Sequence, residues 1–264
     1  MPASRTATLA VGFGVGLLAV LLGACSAAPT DRPGPASEPG CAHGCAVGRL
    51  PVRQSPTRCT APRPTTAAAY SRMFAALPPD QWAAADVSIS VPLPDGRALW
   101  LYGDTLATHS FVHSSAVVQD GGCLHVSRAG AQLLPDDDAT HIYWIESALA
   151  ISGQVVEVKA RSIKLVGTGP WDFRNGGYER TAAVDVDPSG DVTFRHWNTR
   201  VPSPAPDPGP MYRLDGRPHH FGYARHVHPE ATLRDGRTLV TTCQNFDDGT
   251  LHPFADYRPI FSER

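Results

Sequence analysis

Residues 67–264 are predicted to form an all-β domain, on three observations. Short runs rich in β-branched and aromatic residues recur from residue 87 onward, and turns of Gly, Pro and Asp separate them. A helical pattern is found only over residues 67–77, where Pro78 and Pro79 stop it. Because no further helical period lies between the strands, a parallel βαβ sheet is excluded, and a sandwich, a barrel or a propeller remains.

The strand prediction rests on ten such runs. They cover residues 87–93, 98–102, 114–119, 123–126, 141–150, 155–165, 181–186, 192–197, 221–227 and 238–243. A short internal repeat, Asp-Gly-Arg at 95–97 and again at 235–237, precedes two of them, and residues 187–190 form a third turn of similar composition. Repeated hairpins of this kind suit propeller blades, although Asp-Gly turns occur in β proteins of every kind.

The N-terminus resembles a bacterial lipoprotein signal. Arg5 precedes an apolar run over residues 9–22, which is shorter than the roughly 20 residues of a membrane-spanning helix. The run ends in Leu-Gly-Ala before Cys25, as in a lipobox. The resemblance implies a signal peptide at residues 1–24, acylation of Cys25, and attachment to the outer face of the cytoplasmic membrane through the lipid alone. The alternative is a plain secretory signal followed by an incidental cysteine.

Residues 25–66 are predicted to form a disordered tether. The segment is rich in Pro, Ala, Gly, Ser and Thr, so it buries too little apolar surface to offset the entropy of folding. Cys41, Cys45 and Cys59 lie in it, and an exported context favours disulfides over a metal site. The pairing stays open at this level, and Cys123 and Cys243 either form a disulfide or remain buried thiols.

Composition excludes several classes of function. A net charge of −2 is not the basic footprint that nucleic acid requires. Walker, dinucleotide-binding, zinc-protease and Gly-x-Ser-x-Gly motifs are missing from the sequence. We therefore expect no nucleic-acid partner, no metal and no cofactor, with water as the second substrate of any hydrolysis. The oligomeric state is left open.

The hairpin over residues 86–105 carries the candidate chemistry. Its Pro-Asp-Gly turn at 94–96 fits a type I turn followed by a left-handed glycine, which places residues whose numbers sum to 190 opposite each other. Asp86 then faces Asp104 across the ribbon. One face of the hairpin is apolar, and the other is polar and aromatic.

The pairing of Asp86 with Asp104 predicts acid/base chemistry on a glycosidic bond. Carboxylates that face one another repel, so the pKa of one rises, and a glycosidase needs one protonated and one ionised carboxyl. Trp100 and Tyr102 share their face and offer stacking area for a sugar ring. The alternative is that both aspartates are solvated, one capping a turn and one beginning a strand.

The same hairpin resembles the opening blade of a bacterial β-propeller family, first known as a domain of unknown function, some members of which are endo-D-arabinanases. The resemblance rests on the Pro-Asp-Gly-Arg turn and the Leu-Trp-Leu-Tyr-Gly-Asp-Thr run that ends at Thr105, and more loosely on stretches up to residue 264. It implies a five-bladed β-propeller with an axial sugar cleft, and Asp86 and Asp104 as its catalytic pair. Where the family has Gly-Gly-Asp-Gly, this chain has Ala-Ala-Asp-Val at 84–87, so the approach of the backbone to a ligand differs.

Four further residues are candidate substrate ligands. Glu146 follows two aromatic residues, Arg225 lies in a predicted strand, and His228 and Glu230 flank a proline where a strand begins. Each has an ordinary structural alternative as a surface or turn residue. We expect a lipid-anchored, endo-acting glycoside hydrolase whose partner is cell-wall polysaccharide of the arabinan type. A non-catalytic glycan-binding propeller and a structural envelope lipoprotein are the alternatives.

Overall fold

The chain folds into antiparallel β-sheets with one α-helix among its described residues. The structure is a computed structural model that describes residues 58–169, 171–203, 212–213, 220–246 and 254–264. The predicted all-β class is confirmed. The predicted signal peptide, Cys25 and the tether up to residue 57 lie outside the described residues. Within the described ranges, no helix is long and apolar enough to cross a membrane.

Helix α1 (Ala67–Ala75) precedes the strands. Thr66 caps its N-terminus, because the threonine hydroxyl accepts a hydrogen bond from the amide of Ala69. Tyr70 and Phe74 are both buried and lie on one face of the helix, as residues four positions apart do. The predicted helix is confirmed, and it ends two residues earlier than expected.

Sixteen strands are present in the described part of the chain. In chain order they are β1 (Ala84–Ala85), β2 (Ile89–Pro92), β3 (Ala98–Tyr102), β4 (Thr105–Ala107), β5 (Ser110–Val112), β6 (Ser115–Asp120), β7 (Cys123–Ser127), β8 (His141–Ser152), β9 (Val155–Leu165), β10 (Phe173–Val186), β11 (Val192–Trp197), β12 (Val201–Pro202), β13 (Tyr212–Arg213), β14 (His220–Thr232), β15 (Thr238–Phe246) and β16 (Ile260–Glu263). A 3₁₀ helix, η1 (Phe254–Tyr257), precedes the last strand. Each of the ten predicted strands overlaps one of these, and the short strands are the ones that the sequence pattern missed.

Three of the four sheets among the described residues are meanders. Their strand orders are β2-β3-β6-β7, β11-β10-β9-β8 with β12 beside β10, and β13-β14-β15-β16; the fourth sheet is β1-β4-β5. Strand β2 contacts both β8 and β14, so the first meander lies between the other two. The expected ring of five blades is not seen among the described residues.

Three hairpin turns share one geometry, which confirms the internal repeat found in the sequence. In the turns at 94–96, 188–190 and 234–236, the glycine amide donates to the carbonyl three residues earlier over 3.0–3.1 Å. The three glycines have φ angles of 89°, 99° and 71°, a region that residues with a Cβ rarely adopt. The predicted register also holds, because Ile89 faces Leu101.

The first meander is buried on both of its faces. Its apolar face joins a large cluster with β8, β9 and β10, as the alternation of the sequence indicates. Its other face, which carries Trp100 and Tyr102, is covered by Tyr70 and Phe74 of α1. Neither face of this sheet is therefore an open surface along β3.

Residues 58–65 form a strap across the turns of the first and third meanders, although the sequence predicts them to belong to the tether. The amide of Gly122 donates to the carbonyl of Ala61 at 2.8 Å, and the amide of Arg234 donates to the carbonyl of Thr65 at 3.0 Å. These backbone bonds hold the strap against two different sheets. The ordered part of the chain thus includes residues that composition alone assigns to a linker.

The structure shows the pairing of three of the cysteines that the sequence left open, and Cys41 and Cys45 lie outside the described residues. Cys59 in the strap forms a disulfide with Cys123 at the start of β7, with their Cα atoms 6.0 Å apart. Cys243 is a free, buried thiol, so the Cys123–Cys243 alternative is wrong. The disulfide closes a loop of 64 residues in sequence separation and fixes the strap to the first meander.

Candidate active site

Asp86 and Asp104 lie where the ladder of the first hairpin is interrupted. Strand β2 pairs with β3, and beyond a break β1 pairs with β4 in the same register. Within the break, the amide of Asp86 donates to the carbonyl of Asp104 at 3.1 Å, and the amide of Gly103 donates to the carbonyl of Asp86 at 3.0 Å. The predicted juxtaposition of the two aspartates across the ribbon is therefore confirmed at the level of the backbone.

The break is built from unusual backbone. Val87 and Ser88 have φ angles of 69° and 53°, and a β-branched residue such as valine seldom adopts such an angle. On the facing strand, a Cβ on Gly103 would lie 2.4 Å from Oδ1 of Asp86. The bend thus places the Asp86 carboxyl against Gly103, where any side chain would obstruct it. Strain of this sort is found most often at functional sites.

The Asp86 carboxyl is held by two tyrosines, one from strand β14 of the third meander and one from the 3₁₀ helix between β15 and β16. Oδ2 accepts hydrogen bonds from the hydroxyls of Tyr223 in β14 and Tyr257 in η1, both at 2.9 Å. Oδ1 is buried and has no hydrogen-bond partner among the described residues. One end of the first hairpin is in this way joined to the last part of the chain.

Burial makes Asp86 a weak acid. The loss of solvent, followed by the negative charge of Asp104, raises the pKa of Asp86 to about 7, although the two tyrosine hydrogen bonds act in the opposite direction. In the described part of the chain, no arginine or lysine forms an ion pair with this carboxyl. Asp86 is consequently protonated in a large fraction of molecules at neutral pH.

Asp104 is more open and has a different partner. Its side chain is 21% exposed, and its Oδ1 lies 3.0 Å from Nδ1 of His113, which follows β5. Burial lowers the pKa of His113, but the hydrogen bond and charge of Asp104, with the charges of Asp136 and Asp86, outweigh it and leave that pKa raised. His113 therefore binds a proton more tightly than a free imidazole does.

Asp136 adds a third carboxyl to this group. Its Oδ1 is buried without a hydrogen-bond partner among the described residues, and burial raises the pKa of the carboxyl. The charge of His113 lowers that pKa and the charge of Asp104 raises it, so the three groups interact electrostatically. The cluster as a whole carries more acidic than basic groups.

The prediction that Trp100 and Tyr102 stack on a sugar ring is wrong. Both are fully buried, and Phe74 of α1 lies over them with ring centroids 5.1 Å and 6.1 Å away. The indole of Trp100 donates to the side chain of Gln119 at 2.9 Å. Neither ring can stack on a sugar, because α1 covers the face that the sequence pattern left open.

Among the described contacts, Glu146 and Arg225 have none with the two aspartates. Glu146 forms ion pairs with Arg161 and, at 3.3 Å, with Lys159 on the neighbouring strand β9. Arg225 is exposed in β14, and in the described ranges no ion pair joins it to Asp86 or Asp104. The predicted contribution of these two residues to the site is not seen in their contacts.

His228 and Glu230 serve as a polar link between β14 and β2. Ser90 of β2 hydrogen-bonds both Nδ1 of His228 and the carboxylate of Glu230, and Nε2 of His228 lies 2.7 Å from the hydroxyl of Thr241. Burial lowers the pKa of His228 to about 3, so the ring is neutral. The imidazole is fully buried, and the structural alternative for these two residues is therefore the one the geometry supports.

Four residues of the acidic site were missed at the level of sequence. They are His113, Asp136, Tyr223 and Tyr257. Tyr257 lies in one of the stretches that carry the family resemblance, and this was the sole signal available for it. Tyr223 joins the site through a long-range contact, and His113 and Asp136 reach it through loops, and periodicity reveals none of these contacts.

Two clefts in the structure lie elsewhere. One, of about 390 Å³, is lined by the strap, the disulfide and the turn at 188–190, and the other, of about 370 Å³, lies between β7, β11 and residues 131–135. Neither has Asp86 or Asp104 among its lining residues. In the described part of the chain, no group of three or more His, Cys, Asp and Glu side chains is arranged to hold a metal ion.

Comparisons with known proteins find likeness in structure only. No protein-family model and no curated protein matches the chain. Among solved structures, the chain is similar to a "putative hydrolase" from Bacteroides ovatus ATCC 8483, at 12% identity and a TM-score of 0.44, over 75% of this chain and 89% of that one. A likeness at this level assigns neither a family nor an activity.

Proposed function

We propose that this protein is a glycoside hydrolase whose catalytic pair is Asp86 and Asp104. The observation that carries the proposal is the contrast between the two carboxyls: one is buried with its pKa raised to about 7, and its neighbour is more open and pairs with a histidine whose pKa is raised. Hydrolysis of a glycosidic bond needs an acid and a carboxylate side by side at one pH. A carboxyl pair that only stabilised the fold would not require one acid and one carboxylate.

The roles follow from the two environments. Asp86 donates its proton to the glycosidic oxygen as the bond to the anomeric carbon breaks. Asp104 either activates the attacking water or attacks the anomeric carbon itself, and His113 positions its carboxylate through their hydrogen bond. The first route inverts and the second retains the anomeric configuration, with carboxyl separations of about 6.5–9.5 Å and 5–5.5 Å respectively.

The substrate and location in this proposal come from the sequence. The resemblance of the first hairpin to the endo-D-arabinanase family points to internal cleavage of arabinan-type cell-wall polysaccharide by a five-bladed propeller. The lipobox-like sequence before Cys25 points to a lipid anchor on the outer face of the cytoplasmic membrane. An anchored enzyme at that surface would meet such a polymer as it is built or remodelled.

The test is an assay of the full chain, purified in detergent, on arabinan-containing cell-wall polysaccharide. Wild type should release oligosaccharides, and Asp104→Asn should reduce the rate by at least about 100-fold, because acid/base groups contribute about 10²–10⁴. Asp235→Asn is the matched control, since Asp235 is an exposed aspartate in the turn at 234–236. Full activity in Asp104→Asn, or no release from arabinan, galactan or xylan, would rule the hydrolase out.

A non-catalytic glycan-binding protein is the second candidate. The observation that favours it is the depth of Asp86, whose Oδ1 is buried, together with the position of both clefts away from the pair. This candidate predicts measurable binding of a cell-wall glycan without release of products. The same assay, run with a binding measurement beside it, separates the two candidates.

A further inference from the structure

A row of aromatic rings leads away from the acidic pair. Trp144 of β8 meets Phe173 edge-on with ring centroids 4.7 Å apart, and Trp171 lies 6.3 Å from Phe173 and 5.8 Å from Phe221. Phe221 is in turn 5.7 Å from Tyr223, whose hydroxyl donates to Asp86. Five rings from two different meanders thus form a continuous series that ends on the catalytic carboxyl.

Trp171 is the most exposed member of this row. Its side chain is 41% exposed, whereas Phe221 is buried. It projects from the loop between β9 and β10, which is held by the Asp172 carboxylate: Oδ2 accepts from the amide of Gly169 at 2.8 Å, and a Cβ on Gly167 would lie 2.3 Å from the same oxygen.

The row and the acidic pair lie at the same end of the sheets. The turn between β8 and β9 is at the opposite end, because Gln154 in it donates to Asp95 in the turn at 94–96. The loop that carries Trp171 is at the other ends of β9 and β10, as Asp86 and Asp104 are at the other end of their hairpin. The contact of Trp171 with Phe221 brings that loop beside the strand that holds Tyr223.

We propose that this aromatic row is a glycan-binding platform beside the catalytic pair, with Trp171 as the ring that stacks on a sugar of the bound chain. The proposal deepens the proposed function and rests on it for the choice of ligand. An indole or phenyl ring stacks on the apolar C–H face of a sugar ring. The ring itself offers an anionic group no favourable contact, so such a group would need a cation nearby. Extended polymers need such contacts away from the bond that is cut, because remote binding energy positions the reacting bond.

The charges of the site narrow the class of glycan. In the described part of the chain, this group of side chains holds three carboxyls and one basic residue, His113, which already pairs with Asp104, so a uronic-acid chain finds no free cation there and is disfavoured. An uncharged glycan meets no such penalty. The platform is therefore assigned to neutral polysaccharide.

The experiment measures glycan binding by the full chain in detergent, with Asp104→Asn present in every protein so that no ligand is consumed. Oligosaccharides of arabinan, galactan and xylan are titrated by calorimetry, and polygalacturonate oligosaccharides form the anionic arm. Added Trp171→Ala should weaken binding of a neutral glycan by about 3- to 10-fold, and Trp171→Phe by less, in line with about 0.5–1.5 kcal/mol for an aromatic contact. Leu149→Ala is the matched control, since Leu149 is a 64% exposed apolar residue on β8.

The outcomes separate the platform from the hydrolase. Binding that depends on Trp171 supports the platform even if the wild-type chain cleaves nothing, in which case the proposed hydrolase alone fails. Equal binding by Trp171→Ala and its parent, equal losses in Leu149→Ala, preference for polygalacturonate, or no binding of any of the four glycans overturns the platform. Since an alanine at 171 can disturb the loop, Trp171→Leu is measured beside Trp171→Phe: the platform requires Phe to bind better than Leu at equal thermal stability.

Discussion

Two aspartates in this protein each accept hydrogen bonds from two tyrosine hydroxyls, yet their pKa values are shifted in opposite directions. Asp86 accepts hydrogen bonds from the hydroxyls of Tyr223 and Tyr257, both at 2.9 Å. Asp137, which lies before β8, accepts from the hydroxyls of Tyr143 at 2.8 Å and Tyr178 at 2.6 Å. The two aspartates differ in their burial, since Asp86 is buried and Asp137 is exposed, and in the charges around them.

Asp137 is clamped by two arginines, at 3.0 Å from Arg180 and 2.6 Å from Arg200. Burial raises the pKa of Asp137, but the hydrogen bonds from Tyr178 and Tyr143 and the charges of Arg200 and Arg180 outweigh burial and lower it. Asp86 is buried more deeply than Asp137 and has a neighbouring carboxylate in place of the arginines, and burial and that charge both raise its pKa. Burial, the tyrosine hydrogen bonds and the neighbouring charges together therefore set the opposite shifts of the two aspartates.

The comparison assigns a structural role to one aspartate and a chemical role to the other. Asp137 gathers side chains from β8, β10 and the segment after β11, and Arg180 lies 4.8 Å above the ring of Trp197. Such a fully paired carboxylate holds elements together and has no proton to give. Asp86 is held as firmly but keeps its proton, which is the property that catalysis requires.

The largest effect is expected on turnover. Asp86→Asn removes the proton donor and should lower kcat by about 10²–10⁴ on the polysaccharide that wild type cleaves, whereas Asp137→Asn should leave kcat within about threefold. Initial rates of oligosaccharide release measure both. A comparable loss of kcat in the two folded variants would mean that the contrast in acidity has no catalytic meaning.

The next effect is on the pH dependence of stability. The pKa of Asp86 is about 7 in the folded chain, well above its ordinary value, so its contribution is fully present below about pH 4 and is lost as pH rises through about 7. Wild type should lose up to about 4 kcal/mol over this range relative to Asp86→Asn, which does not titrate. Urea unfolding of both proteins at pH 4, 6 and 8 measures the difference, and a difference that stays constant with pH would refute the raised pKa.

A smaller loss of stability is expected when the ion pairs of Asp137 with Arg180 and Arg200 are removed. Asp137→Asn leaves Arg180 without its anionic partner in a site where that arginine is mostly buried, which should cost about 1–3 kcal/mol. Arg200 is 54% exposed, so Arg200→Gln should cost less than about 1 kcal/mol. Thermal unfolding ranks the two variants. If Arg200→Gln proved the more damaging, the ranking by burial would be wrong.

The smallest expected effect is a shift in a pH profile. The hydroxyl of Tyr257 stabilises the ionised form of Asp86 and so lowers its pKa. Tyr257→Phe should move the alkaline limb of the kcat/KM profile to higher pH, because Asp86 would keep its proton longer. Tyr143→Phe, the matched change at Asp137, should leave that limb in place, and equal shifts in the two variants would contradict the assignment.

The sequence by itself determined the strands, the helix and the turns of this protein, and from them the register that puts Asp86 opposite Asp104. These features are local: a Pro-Asp-Gly turn fixes the pairing of the residues on either side of it, and alternation over a few positions marks a strand. The three repeated turns and α1 were predictable for the same reason. The acidic pair was identified because its two members are joined by one short hairpin.

The tertiary structure alone decided what surrounds that hairpin. Tyr223 and Tyr257 reach Asp86 across 137 and 171 positions of sequence, and α1 folds over Trp100 to close a face that looks open in the alternation pattern. Such contacts depend on how whole sheets and helices pack, which no local pattern encodes. The acidity of Asp86 depends on the same packing, because burial and the absence of a clamping arginine set it, and both are properties of the folded chain.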